Sequence, residues 1–90
     1  MRRKEFVLSS GARVVFEGPI RLRDLREMAE ADARGDLEAI ARVLSRVIAE
    51  WSFPGSPRDP AAFEDLDYFD YLDILDAFRK WLRREEEAKA

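Results

Sequence analysis

Four aspartates, Asp67, Asp70, Asp73 and Asp76, recur every third residue in the run LDYFDYLDILDAFRKWL at 66–82. Carboxylates in a regular array suggest oxygen ligands for a divalent cation, so that chemistry is the first to weigh. A calcium site needs its oxygens to close on one point, with a glycine turn and a bidentate Glu. On a helix at about 100° per residue with Leu75 at zero, Asp70, Asp73 and Asp76 fall at about 220°, 160° and 100°. They fan out around the helix because a period of three drifts against 3.6. The expectation is therefore no metal and a water-covered acidic face. Its acids sit near the helix start and Arg79, Lys80, Arg83 and Arg84 near its end, each sign favoured by the helix dipole. Asp76 and Lys80 are spaced i, i+4 for an ion pair.

Other chemistry has little to work with. The 90 residues include no Cys, His, Asn, Gln or Thr. Without imidazole or thiolate there is no usual general base, no reactive sulfur and no usual zinc set. The chain reads as a non-enzyme without cofactor or disulfide. Arg outnumbers Lys 13 to 3, which with the missing amides suggests a GC-rich or thermophilic source. Net charge is −3, and from Asp59 to Asp76 there are seven acids and no base. That half repels phosphate backbones, so no nucleic-acid partner is expected there. No apolar run approaches the roughly 20 residues of a membrane span, and MRRKEFVLSS lacks the apolar core of a signal peptide. A soluble protein of the cytoplasm is the expectation.

The elements that position the aspartate run read as α+β, mainly helical: an N-terminal two-stranded β-hairpin at 1–18 packed on about three α-helices, in one domain of 1–90. A three-residue hairpin loop, with Leu8 opposite Ala12, gathers Phe6, Leu8, Ala12, Val14 and Phe16 on one face and puts Gly11 in the left-handed position. A helical pair fills 20–51. Its first helix carries Leu22, Leu25, Met28 or Ala29, and Ala33 at helical spacing and stops at Gly35. In the second, capped by Asp36, the positions Leu37, Ile40, Ala41, Leu44, Val47, Ile48 and Trp51 form an unbroken stripe. That spacing predicts a helix to Trp51, with Trp51 buried at the next turn. SFPGSPRDP at 52–60 is a stiff turn. Asp59 followed by Pro60 starts a short helical turn through Phe63. The C-terminal helical part occupies 61–85, with Asp67 capping the last helix, and 86–90 is a frayed tail.

That last helix carries two apolar stripes. Tyr68, Tyr71, Leu72, Leu75, Phe78 and Leu82 lie within about 60° of Leu75 and form the expected core stripe. Beside it, Ile74 and Trp81 join Tyr71 and Phe78 in a second stripe. Exposed aromatic residues of this kind favour interfaces, so the predicted partner-binding edge is Tyr71, Ile74, Phe78 and Trp81, joined by Phe53.

In order, the hairpin, RDL at 23–25, GDLEAIARVLSRVIAEW at 35–51, the turn FPGSP and the helix LDYFDYLDILDAF resemble tail assembly chaperones of long-tailed bacteriophages over nearly the whole chain. The resemblance implies a non-enzymatic protein that coats the long helical tape measure protein in the host cytoplasm. It implies that the protein keeps that partner soluble, helps recruit tail tube protein and is absent from the mature virion. It also allows a longer frameshifted form continuing from RREEEAKA. A homo-oligomer is the other partner consistent with the apolar edge. The competing readings are a helix-turn-helix DNA-binding regulator, using 22–33 and 36–51 about Gly35, and a structural or adaptor protein of a phage particle.

Overall fold

Three apolar residues on alternate positions, Phe6, Val14 and Phe16, require a sheet with one dry face. The computed structural model describes residues 3–89, with side chains through Arg83. Strands β1 (Arg3–Val7) and β2 (Arg13–Glu17) pair antiparallel with Phe6 opposite Val14. The loop has the predicted three residues: the Leu8 amide donates to the Ala12 carbonyl at 2.7 Å, and Gly11 has φ 91°. The outer face is polar, with Arg3 bridging Glu17 and Glu50, and Arg13 bonded to Glu5.

A third strand is the main departure from the expected fold. Helix α2 (Leu37–Val47) ends before Trp51, and Ile48–Trp51 is strand β3, antiparallel to β2 in the order β1-β2-β3. The register pairs Phe16 with Ile48, Val15 with Glu50 and Val14 with Trp51, so Ala49 is an extra bulged residue. A bulge adds one residue between inward-facing side chains. Ile48 and Trp51 therefore face inward three residues apart, and this spacing imitates a helix. Trp51 is half-buried, donating its indole N–H to the Gly55 carbonyl at 2.9 Å and packing on Phe53 and Phe63. Gly55 is required there: its φ is 82°, and a Cβ on it would stand 3.0 Å from that of Ala62.

Helix α1 (Leu22–Arg34) closes on Gly35 at φ 66°, where the Asp36 amide reaches back to the Ala31 carbonyl at 2.8 Å. Asp36 then caps α2, accepting from the Ala39 amide at 3.1 Å, a bond that holds its carboxyl below the usual value. From the α2 stripe, Ile40, Ala41, Leu44, Val47 and Ile48 are buried; Leu37 is not. In α1 the fully buried residue is Ala31, while Leu25 and Met28 are only half-covered and Leu22 is exposed. The join between α1 and α2 has a polar component: buried Asp24 accepts from Arg46 at 2.9 Å, and Arg46 also binds Glu27 at 3.0 Å. Burial alone pushes the Asp24 carboxyl up, but the Arg21 amide and the Arg46 guanidinium outweigh it, leaving the group below its ordinary value.

A 3-10 helix (Pro60–Asp65) starts at Asp59 as the sequence predicts, the Asp59 carboxylate accepting from the Ala61 amide at 3.0 Å. Helix α3 (Tyr68–Lys89) is capped by Asp67, which accepts from the Phe69 amide at 3.0 Å. It continues past the expected end at Glu85. The frayed tail predicted at 86–90 falls where side chains, and for Ala90 the backbone also, lie outside the described residues. The dipole pairing proposed for Arg84 falls outside them too.

Leu44 is wholly enclosed, so Leu44→Ala is expected to cost about 2–5 kcal/mol in urea unfolding. Asp24→Asn is expected to cost about 1–3 kcal/mol at neutral pH, since it removes the charge of a buried carboxylate that accepts from the Arg46 guanidinium and the Arg21 amide. The Asp24 contribution is fully present above the ordinary carboxylate pKa of about 3.9 and is lost as pH falls through the lower folded value. The wild type and the Asn variant should therefore converge in stability towards strongly acidic pH, which a pH series of melting curves measures.

Candidate functional site

Of the five predicted contact residues, three are core. Ile74, Phe78 and Trp81 keep 0%, 3% and 2% of their accessible surface, so they offer nothing to another chain. The indole of Trp81 stacks on Phe16 at 5.4 Å between centroids and 16° between planes, and Phe78 lies 5.9 Å from the same ring. Ala77, on the same side of α3, is also buried. Ile74, Ala77, Phe78 and Trp81 form a full i, i+3, i+4, i+7 set, and the small Ala lets the helix axis approach the sheet. Phe53 is half-buried, edge-on to Trp51 at 5.5 Å, and takes part in the Pro/Gly turn. Tyr71 lines the larger of two clefts beside α3, and Phe78, although almost wholly enclosed, borders the smaller.

The stripe predicted to be inside is, apart from Phe78, the one left near the surface, together with Phe69 beside it. Tyr68 is 62% exposed, Phe69 72% and Leu72 39%, while Leu75 and Leu82 are half-buried. Two clefts flank this face. The larger, about 580 Å³, lies between the start of α2, the 3-10 helix and the start of α3. Leu37, Ala41, Pro60, Phe63, Leu66, Tyr68 and Tyr71 make its walls, with Glu38, Glu64 and Arg42 as the charged groups. Its volume lies within the roughly 300–1,000 Å³ of ordinary ligand clefts. The smaller, about 240 Å³, separates α1 from α3 between Leu25, Met28, Leu75 and Leu82, with Asp32 and Arg79 also lining it. The α3 residues of both clefts share one helix face, and Tyr68 to Leu82 covers about 21 Å at 1.5 Å per residue.

Leu37 is 61% exposed because it is the first residue of its helix, where no preceding turn can cover it. The Tyr71 hydroxyl oxygen is shielded from water and has no hydrogen-bond partner among the described residues. Burial, then the Asp32 charge, pushes that hydroxyl's pKa up. An orphaned donor in a cleft wall is a group that an incoming acceptor would satisfy.

The aspartate run separates as the helix geometry predicts. Asp73 accepts from the Ser9 hydroxyl of the hairpin loop, and Asp76 pairs with Lys80 at 3.0 Å. Among the described residues no three His, Cys, Asp or Glu side chains gather, and no helix is long and apolar enough to cross a membrane. The arrangement is suited to holding an apolar surface. Comparison of the chain with protein-family profiles, characterised proteins and solved structures returns no match.

Sequence reasoning missed the larger cleft because a gap between elements has no periodicity. The one available signal was apolar Phe63 and Leu66 within an otherwise acidic stretch beside an uncovered Leu37.

Serine at Ile74 or Trp81 is expected to unfold the protein, whereas Leu72→Ser is expected to stay within about 1 kcal/mol of wild type. Tyr71→Phe removes a shielded, unpaired hydroxyl and should raise stability, by up to about 1 kcal/mol. Thermal and urea melts of the four variants test both orderings.

Proposed function

We propose that the protein is a non-enzymatic tail assembly chaperone that holds apolar helical segments of a tape measure protein and keeps them soluble until the tube encloses them. It would act in the host cytoplasm, help recruit tail tube protein and be absent from the finished particle, with protein partners only. The observation that supports this reading is the apolar face of α3 with its larger cleft, lined by Leu37, Tyr68 and Tyr71. Helix-in-groove recognition uses such a surface, with anchors of the partner helix entering a cleft at i, i+3, i+4 or i+7 spacing. The area is modest, which suits a partner that must later be released.

The helix-turn-helix reading loses support because α2 is the centre of the core. Seven of its eleven residues are buried, so it cannot also lie in a DNA groove as a recognition helix.

The test is co-expression with a candidate tape measure protein. Wild type should keep that protein in the soluble fraction and co-purify with it. Leu37→Ser combined with Leu72→Ser should abolish both effects while leaving the melting curve close to wild type. Retained binding by a folded double variant would remove the cleft from the mechanism. Duplex DNA binding that weakens steeply with salt would support the regulator reading instead.

A further inference from the structure

Resting on the proposed function, we infer that the helix seated in the larger cleft carries lysine or arginine flanking its apolar ridge. Its charge selects among apolar helices that would otherwise fit equally.

The walls supply the argument. Glu38 lines one side of the cleft and Glu64 the other. Asp65 and Asp67 are exposed, alternating along the chain with the lining residues Glu64, Leu66 and Tyr68. Among the described residues none of these four carboxylates is engaged in an ion pair. That contrasts with the sheet face and the α1–α2 join, where Glu5, Glu17, Asp24, Glu27 and Glu50 all hold arginines. Arg42 is the single base of the cleft lining. The next base along α3 is Arg79, 11 residues beyond Tyr68 and about 16 Å along the axis. That separation exceeds the Debye length of about 8 Å at physiological ionic strength, so Arg79 does little to offset the cleft's acids.

An apolar cleft edged by unpaired carboxylates attracts a cation-flanked ridge and repels an acidic one. Rim charges act chiefly on encounter rate and on discrimination between partners, whereas the apolar anchors provide the bulk of the binding.

The probes are three fluorescein-labelled helical peptides of about 18 residues. They share one ridge of Leu and Phe at i, i+3, i+4, i+7 spacing and differ only in flanking residues: Lys and Arg, Gln, or Glu. Anisotropy titrations with the full chain should give binding in the order basic, neutral, acidic. The basic peptide should bind about 5- to 20-fold tighter than the acidic one at low salt, a gap that closes towards 1 M salt. Glu38→Gln with Glu64→Gln should shrink the gap without moving the melting curve, and Leu37→Ser should weaken all three peptides. Equal binding of basic, neutral and acidic peptides would overturn the charge inference and leave the helix-holding function standing. No binding of any peptide would overturn both. Concentration-dependent dimerisation that excludes the peptides and is lost in Leu37→Ser would also overturn the inference, because the occupant would then be a second copy of the chain.

Discussion

The stack of Trp81 on Phe16 sets the geometry of everything else. β2 is the middle strand, and its inward-facing Phe16 is wholly enclosed, with Phe6 edge-on at 5.8 Å and Phe78 and Trp81 against it. A sheet of three short strands is not stable with its apolar face in water, so a helix must cover that face. Once the largest side chain of α3 is committed to Phe16, the rotation of the helix about its axis is decided. At 100° per residue, placing Ile74, Ala77, Phe78 and Trp81 on the sheet turns Tyr68, Leu72 and Leu75 away from its centre. The surface that supports a binding function is thus a consequence of the packing that makes the fold.

The legible parts of the structure are those specified locally. The hairpin loop follows from parity and one glycine, and the caps at Asp36, Asp59 and Asp67 each rest on one carboxylate and a nearby amide. What could not be read was non-local. Residues 48 and 51 continue a helical stripe, yet a bulged strand beside β2 places the same two residues equally well, and β2's need for a second partner selects the strand. The two stripes of α3 were both apolar, and Ala77, too small to count as an anchor, is buried on the sheet side with Ile74, Phe78 and Trp81. One hydrophobic pattern therefore admitted two rotations of one helix, and the cleft follows from the rotation that was not expected. Tyr71 and Phe78 were shared by both stripes; Tyr71 lines the larger cleft, and Phe78, almost wholly enclosed, borders the smaller.

The α1–α2 join explains why a second cleft exists. α1 has few large apolar residues facing inward, and its attachment includes the Asp24–Arg46–Glu27 group at one end and the Gly35 turn at the other. A polar lock of this kind fixes orientation but does not require close apposition along the helix. α1 is therefore held against α2 without being drawn onto α3, and Leu25, Met28, Leu75 and Leu82 remain half-covered across a furrow. A bulkier residue at Ala29, which lines that furrow, would fill it and convert surface into core.

An apolar face about 21 Å long on so small a domain invites self-association, and the aspartate run bears directly on that hazard. Among the described residues Asp70, Asp73 and Asp76 do not gather on one point; Asp73 and Asp76, at about 160° and 100°, lie on the flank beside Phe69, whereas half-buried Asp70, at about 220°, is on the side of Ile74 and Ala77. Like charges on that flank oppose the docking of two acidic edges against each other, while leaving the apolar ridge unchanged for a partner of opposite sign. Spacing by three suits this purpose better than spacing by four, because it sets Asp73 and Asp76 about 60° apart on that flank. Acids at i, i+4 would stay nearer one line and leave more of the flank neutral. The period that first suggested a metal site is thus the period that spreads Asp73 and Asp76 along the flank of the exposed apolar ridge.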